Sequence, residues 1–394
     1  MSDSRLPKHL VLRKNEDRRI LAGHPWVFSN EVQTTAGNPI IGDVVELVSA
    51  GGKSLGVGFY NPNSLIVLRL LSRQIEEINP AFFRRRIEEA FRLRQSIFPD
   101  ATTYRLVHGE GDFLPGLVID RFNDTLVVQT FSHGMDARLP DICDVLESIL
   151  HPTCIVERNE SPLRVLDSLP EKKGVLRGTP TAVIIEENGL RYTIHPLEGQ
   201  KTGFFLDQRD NRASIRRLSG GMRVLDCFCN DGGFALNAAI GGASSVVGID
   251  SSEEAVRRAT ANATLNGLGG VTFEQDDVFD RLKSLRERDA RFDLIVLDPP
   301  SFTRSRKNVA TAKRGYRDLH EAAFRVLRKG GLLLSASCSH HIEPGVFLDI
   351  IDEAAGRAGR TLQLLDWRGA APDHPSLPAV PETRYLKVGT FKAL

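Results

Sequence analysis

Apolar positions in the first part of the chain come in short, tightly bounded runs. Val44-Val45-Glu46-Leu47-Val48 and the stretch from Leu65 to Leu71 are aliphatic and β-branched, and Gly51-Gly52 and Asn61-Pro62-Asn63 punctuate them. Such runs mark strands joined by turns, so residues 1–75 predict a small β-domain. The pattern changes at Asn79-Pro80, where an N-cap residue followed by proline at the first helical position opens a helix through 81–98. A strand pair turning at Asn123-Asp124, a helical stretch over 136–150 and strands near Ile155 and Val183 make residues 76–190 an α+β module. From 191 to 394 strand, turn and helix alternate. Strands are predicted at 223–226, 245–250, 271–275, 292–297 and 332–337, with 361–365 and 385–391 as an antiparallel edge pair. Ser251 and Glu254 read as a capping box, and Gly330-Gly331 as the end of the helix before the fifth strand. This alternation builds a largely parallel sheet covered by helices, so the third domain is α/β and Rossmann-like.

Composition narrows the class little: 26% charged and 41% hydrophobic residues describe an ordinary globular chain. No run approaches the roughly 18 apolar residues of a membrane span, and the first residues lack the apolar core of a secretory leader. A cytoplasmic location is therefore expected, with the cysteines at 143, 154, 227, 229 and 338 kept as thiols. A net charge of +1 by itself argues against nucleic acid, which rewards excess Lys and Arg. The distribution argues otherwise. Residues 1–75 carry +3, and 302–317 hold Arg304, Arg306, Lys307, Lys313, Arg314 and Arg317 with no acid, which leaves −8 on the remainder.

Ligands of open α/β sheets sit beyond the carboxyl ends of the strands. Asp226, Asp250 and Asp298 close three strands there, and Asp276-Asp277 follow a fourth. The first loop, DCFCNDGGF, has neither the GxGxxG of a dinucleotide site nor the GxxxxGK[ST] of a phosphate loop. Acids and a glycine turn without a phosphate grip suit a cofactor with an ammonium, a ribose and an adenine, the chemistry of S-adenosylmethionine. Asp226 then faces the ammonium and Gly232 and Gly233 admit close backbone approach. Asp250, 24 residues on, takes the ribose hydroxyls, and Asp277 the adenine amino group. Taken singly, each acid could equally be a solvated loop start or a helix cap; four in register favour the cofactor.

Asp298-Pro299-Pro300-Ser301-Phe302 follows the fourth strand and Ser337-Cys338-Ser339-His340-His341 the fifth. The two prolines fix an extended turn able to hold a carboxylate and an aromatic against a flat ring, an element that resembles the D/N-P-P-aromatic turn of nucleic-acid methyltransferases. Enzymes of that kind acting on exocyclic amines place the aromatic directly after the prolines; here Ser301 intervenes. A thiolate from Cys338 adding to carbon 6 of a pyrimidine would make carbon 5 nucleophilic, with Asp298 supporting charge at ring N3. A thiol titrating near pH ~8.5 needs cationic or dipolar help; His340, His341 or the adjoining loop are the candidate sources. The plainer reading of Cys338 is a small buried hydrophobe. No paired spacing of a zinc site is present, so no metal is expected. The basic stretch abuts Asp298, which favours phosphate contacts that position an RNA or DNA strand.

Four motifs, GQKTGFFLDQRDNR (199–212), VLDCFCNDGGFALNAA (224–239), VLDPPSF (296–302) and SASCSHH (335–341), together resemble the ribosomal RNA large subunit methyltransferase I family. GHPWVFSNEV (23–32) is similar to the start of its N-terminal RNA-binding PUA domain, and RLVHGEGDFLPGLVIDRF (105–122) to its central module. The resemblance implies a PUA-like domain at 1–75, a central α+β domain at 76–190 and a class I methyltransferase domain with a seven-stranded, mostly parallel sheet at 191–394. It implies methylation of cytosine carbon 5 in 23S rRNA, or its large-subunit precursor, from S-adenosylmethionine. Cys338 would be the nucleophile, and Asp226, Asp250, Asp277 and Asp298 would line the cofactor pocket with Lys201, Phe205, Gln208 and Arg209. His340-His341 stand where family members often carry Gly. The alternative of the same fold is a base-nitrogen enzyme of the guanine-N7 type, which shares the Asp-Pro-Pro element without needing a thiol. Nothing in the sequence decides between a monomer and a homodimer.

Overall fold

The computed structural model describes residues 6–199, 202–303 and 308–394. Residues 1–185, 194–206 and 372–383 form one compact unit; 186–193, 207–371 and 384–394 form a second.

The first unit opens with β1 (His9–Leu12), α1 (Arg18–Leu21), β2 (Trp26–Phe28), β3 (Val32–Ala36), β4 (Val44–Val48), β5 (Ser54–Tyr60) and β6 (Ile66–Ser72). The strands make a six-stranded sheet in the order β2-β6-β5-β4-β1-β3, whose core includes Leu10, Leu12, Val27, Val45 and Leu47. Next comes α2 (Pro80–Ile97), where the Asn79 side chain accepts the Phe82 N–H at 3.1 Å, one of the orphan donors of a helix start. β7 (Thr103–His108), β8 (Leu117–Phe122), β9 (Thr125–Thr130), α3 (His133–Asp136), α4 (Leu139–Leu150), β10 (Cys154–Asn159) and β11 (Lys172–Gly178) follow. The helical stretch expected over 136–150 is thus two helices. Pro140 lies in the first turn of α4, where its missing N–H costs nothing. The second sheet runs β11-β10-β9-β8-β7. Residues 194–206 and 372–383 pack into this unit through polar ties: Thr202 Oγ1 donates to Asp120 at 2.6 Å, the Arg105 N–H to Asp373 at 2.9 Å, and buried Arg94 to the Asp373 carbonyl at 2.7 Å.

A two-stranded ribbon, β12 (Val183–Glu187) and β13 (Leu190–Ile194), precedes the second unit's α5 (Arg209–Leu218), β14 (Arg223–Cys227), α6 (Gly233–Ile240), β15 (Ser245–Asp250), α7 (Glu253–Leu265), β16 (Val271–Gln275), α8 (Val278–Glu287), β17 (Phe292–Leu297), α9 (Val309–Val326), β18 (Leu327–Ser337), α10 (Pro344–Arg357), β19 (Leu362–Arg368) and β20 (Lys387–Ala393). Its seven strands lie in the order β16-β15-β14-β17-β18-β20-β19. All neighbours are parallel except β20, which is antiparallel to β18 and β19. Central strands read as continuous apolar runs because both faces are covered: Leu225, Ile249 and Leu297 pack on one side, Val224, Leu294 and Val296 on the other. Chain order reverses at β14 and β17, which opens a crevice at their carboxyl ends.

Two local expectations are corrected. The N-cap of α7 is Ser252, one residue beyond Ser251; Ser252 Oγ accepts the Ala255 N–H at 3.3 Å because Asp250 holds the Ser252 N–H. Gly330-Gly331 do not end a helix. α9 stops at Val326 and both glycines lie inside β18, where the pairing with β17 shifts register. Gly330 has φ +78, and a Cβ on Gly331 would meet the Asp293 carbonyl at 3.0 Å, so glycine serves a strand irregularity here. Among the described residues no helix is long and apolar enough to cross a membrane.

Candidate active site

The loop after β14 is held in an unusual backbone. Phe228 and Asn230 adopt φ of 65 and 45, a left-handed conformation that costs energy in non-glycine residues and concentrates at functional sites. What over-determines it is a set of bonds to its neighbours. The Asn230 N–H donates to Asp250 at 3.0 Å and the Cys229 N–H to the Ile249 carbonyl at 2.9 Å. Arg258 Nε donates to Asp231 at 2.6 Å. The glycines that follow answer to packing. Gly232 has φ +81, and its Cβ would sit 2.9 Å from the Phe273 ring; a Cβ on Gly233 would lie 2.6 Å from Arg212 Cδ. Arg212 is buried and fixed by a two-pronged pair with Glu187, both contacts 2.7 Å.

Three of the four predicted acids come together at the ends of adjacent strands. Asp226 is fully buried; its Oδ2 accepts the Ala235 N–H at 2.9 Å, while Oδ1 has no hydrogen-bond partner among the described residues. Burial pushes its carboxyl well above the ordinary range, and the neighbouring Asp298 and Asp250 add to that. A buried acceptor without a donor is costly, and a cationic amino group from a ligand would satisfy it. Asp250 is oriented by backbone donors on both oxygens, the Asn230 and Ser252 N–H groups at 3.0 Å each, which leaves lone pairs for hydroxyls. Asp277 is exposed and caps α8, accepting from Phe279 at 2.8 Å and Asp280 at 3.2 Å. Cys227 and Cys229 are buried, with thiols pushed up by desolvation first.

Asp298 accepts from Gln208 Nε2 at 3.1 Å. Asn211 fixes that amide by donating to Gln208 Oε1 at 2.7 Å, so Gln208 must present its NH2 to the carboxylate. Arg209, by contrast, lies 3.6 Å from Glu187, in the same buried ion pair as Arg212. Phe205 belongs to segment 194–206 of the first unit, and Lys201 lies outside the described residues.

Beyond Asp298 the structure shows a buried hydroxyl chain. Ser301 Oγ donates to the Thr303 carbonyl at 2.7 Å, so it accepts from Ser339 Oγ, 2.9 Å away. Ser339 in turn accepts from Tyr316 OH at 2.9 Å, and Tyr316 accepts from Ser337 Oγ at 3.0 Å. Each hydroxyl has one proton to give, so the direction of the chain follows from its carbonyl end. It ties the Asp298 loop, helix α9 and the Cys338 loop together. Below it His320 is fully buried and neutral, pushed down to about 4 by desolvation. Its Nδ1 faces the Tyr316 carbonyl, which can only accept, so Nε2 accepts from Ser335 Oγ at 2.7 Å.

Phe302, expected against a flat substrate ring, instead packs on Tyr316 with ring centroids 4.6 Å apart. Cys338 is half-buried. His340 is exposed, its ring 5.8 Å from that of Tyr385, and Tyr385 OH donates to Asp207 at 2.6 Å. The cation at this loop is Lys387, which is buried and donates to the Ser339 carbonyl at 2.8 Å. Of the basic stretch, Lys313 and Arg314 are exposed on α9, and Arg317 is engaged by Glu353 at 3.3 Å. Arg304, Arg306 and Lys307 lie outside the described residues. Among the described residues no three His, Cys, Asp or Glu side chains form a metal-binding group. Ser301, Tyr316, Ser339, Asn211 and Lys387 were missed by sequence reasoning. The period-two spacing of Ser335, Ser337 and Ser339 was the available signal, since it puts three hydroxyls on one side of a strand.

This strand order, the acid row and the Asp226 oxygen that has no partner among the described residues fit a ligand with an amino group and a ribose. Residues 105–391 match the family model of S-adenosylmethionine-dependent methyltransferases, and residues 10–73 that of PUA-like domains. The protein is an S-adenosylmethionine-dependent methyltransferase with a PUA-like domain in front. The chain is 42% identical to the ribosomal RNA large subunit methyltransferase I of Tolumonas auensis, covering 98% of this chain and 99% of that protein. Identity to the Aeromonas hydrophila protein of the same name is also 42%, over 96% and 97% of the two chains; an Escherichia coli protein of that name is 39% identical over the same shares. The chain belongs to the ribosomal RNA large subunit methyltransferase I family. Its fold is shared by a putative S-adenosylmethionine-dependent methyltransferase from Streptococcus mutans, at TM-score 0.83 and 23% identity over 98% of this chain and 99% of that one. A putative methyltransferase solved with SAH has TM-score 0.85 at the same identity and coverage.

Proposed function

We propose that this protein methylates carbon 5 of a cytosine in 23S rRNA, or in its large-subunit precursor, through a transient bond between Cys338 Sγ and carbon 6 of the base. The rRNA class is supported by relatives named for it and by the PUA-like domain at the N-terminus. The observation that carries the chemistry is the buried hydroxyl chain Ser337–Tyr316–Ser339–Ser301, which fixes the Cys338 loop against the Asp298 loop. A nucleophile needs that kind of positioning.

S-adenosylmethionine supplies an electrophilic sulfonium methyl. Asp226 holds its amino group, Asp250 its ribose and Asp277 its adenine amino group, while Gln208 orients Asp298 at the reacting end. The Cys338 thiolate adds to carbon 6, which raises electron density at carbon 5, the position that receives the methyl. Asp298 stabilises the charge that develops at N3. The transfer breaks the methyl–sulfur bond and releases a neutral thioether; a base then takes the carbon 5 proton, and the electron pair left behind restores the 5,6 double bond and expels the Cys338 thiolate. Lys313, Arg314 and Arg317, with Arg304, Arg306 and Lys307, hold the RNA backbone beside the site, and a paired base must leave its stack to enter. The work belongs in the cytoplasm, where such rRNA is made.

RNA containing 5-fluorocytosine tests the mechanism, because the fluorine cannot be lost as a proton and the adduct is trapped. The wild-type protein is expected to form a covalent RNA adduct in the presence of cofactor, and Cys338→Ala none. A Cys338→Ala protein that still made 5-methylcytosine would refute the nucleophile. Methylated guanine N7 without any adduct would instead identify the base-nitrogen reading.

A further inference from the structure

Cys338 sits between two residues that both engage Lys387. Ser337 is the register partner of Lys387 across β18 and β20, and the carbonyl of Ser339 accepts from Lys387 Nζ at 2.8 Å. The lysine is 4% exposed, which is rare for this side chain outside an ion pair. An ammonium has three donors, and among the described residues the Ser339 carbonyl takes one. We propose that Lys387 is the positioning cation of Cys338: it keeps the thiol ionised before substrate arrives and receives the thiolate when the base departs. The inference rests on the reading of Cys338 as nucleophile.

Burial pushes Lys387 down to about 8, and Cys338 is the charge that opposes this shift. From α9 the facing titratable group is Tyr316, whose hydroxyl is pushed up by burial and further by Cys338; it stays neutral and donates within the hydroxyl chain. From the β18 loop His340 is exposed and lies against Tyr385. Lys387 Nζ, held at the Ser339 carbonyl, is thus the charge that faces the Cys338 loop from β20. When Lys387 is neutral, the proton on Sγ passes to Nζ, giving thiolate and ammonium with no other reactant. When Lys387 is already charged, its field lowers the thiol pKa. The pair titrates as a unit. The histidines of the SASCSHH segment, expected as the cationic source, are not needed for this.

Alkylation of Cys338 by iodoacetamide reads the thiolate directly. The other four cysteines are buried, and Cys338→Ala supplies the blank. Full-length protein without RNA is reacted between pH 6 and 10, and labelling at Cys338 is followed by mass spectrometry. The wild-type midpoint is expected below the ordinary thiol value of ~8.5. In Lys387→Met it should rise by at least one pH unit, with about a tenfold slower reaction at pH 7, and Lys387→Arg should retain the low midpoint. Calorimetric binding of S-adenosylmethionine reports whether each variant is folded. A Lys387→Met midpoint equal to wild type overturns the proposal. If that variant does not fold, Lys387→Gln takes its place in the same titration, and a midpoint equal to wild type overturns the proposal while a raised one upholds it. Should Cys338→Ala still form 5-methylcytosine, the nucleophile assignment falls while the alkylation midpoint continues to test the pairing.

Discussion

Replacing Asp226 by Asn should make the cofactor-free protein more stable and cofactor binding weaker. The carboxylate is fully buried, one oxygen has a backbone donor and the other has none among the described residues. An unsatisfied buried polar group costs about 1–3 kcal/mol, more when charged. Asparagine keeps an oxygen for the Ala235 N–H and replaces the partnerless charged oxygen by an uncharged NH2, so near neutrality the cofactor-free protein should gain about 1 kcal/mol, or a few degrees in Tm at ~2–4 °C per kcal/mol. The gain should depend on pH with a definite sign. The Asp226 carboxyl lies above its unfolded value of 3.8, so the folded state keeps a proton that the unfolded chain has lost. Stability then falls as pH rises from 3.8 through the raised folded value. The advantage of Asp226→Asn should be absent near pH 4 and grow toward neutrality. Binding moves the other way: losing one partner of a buried charge pair costs about 2–5 kcal/mol, at least thirtyfold in Kd for S-adenosylmethionine. Thermal melts of the cofactor-free protein across that pH range, and calorimetry with the cofactor, measure both arms. A variant that melts below wild type at pH 7, or binds cofactor with unchanged Kd, would refute the assignment of Asp226 to the cofactor's amino group.

Two further predictions concern the support beneath Cys338. Tyr316→Phe removes the hydroxyl that accepts from Ser337 and donates to Ser339, and two buried serines lose a partner; stability should fall by about 1–3 kcal/mol, with kcat reduced and cofactor Kd unchanged, as melts, turnover assays and calorimetry will report. His320 is held neutral at about 4 against an ordinary 6.5, so the stability it contributes is present above 6.5 and lost as pH falls through 4, about 3 kcal/mol in all. His320→Gln should flatten that part of the acid limb in denaturant titrations, and an acid limb identical to wild type would contradict the buried neutral imidazole.

How legible the molecule was from its sequence follows from which interactions have a period. The second unit's strands announce themselves because a parallel sheet covered on both faces needs unbroken apolar runs, as at Val224–Leu225 and Leu294–Leu297. Asp226 and Asp250 were legible as strand-terminal acids. Gly330-Gly331 misled because glycine ends helices and relieves strand irregularities alike, and only the pairing of β17 with β18 tells the two apart. Segments 194–206 and 372–383 carry no local signature of the unit they join, because Thr202 and Asp373 answer to Asp120 and Arg105, far away in the chain. The site divides the same way. Cys338 and Asp298 could be named from chemistry, whereas what holds them is long-range: Ser301 to Ser339, Tyr316 to both serines, Lys387 to the Ser339 carbonyl. Ser301 read as an interruption between the prolines and Phe302. In the fold it is the link between the two loops, and Phe302 packs half-buried against Tyr316. A phenylalanine directly after the prolines would have no hydroxyl for that link, so the serine spacing and the hydroxyl chain belong to one design, in which the Cys338 loop is tied to the loop that follows Asp298.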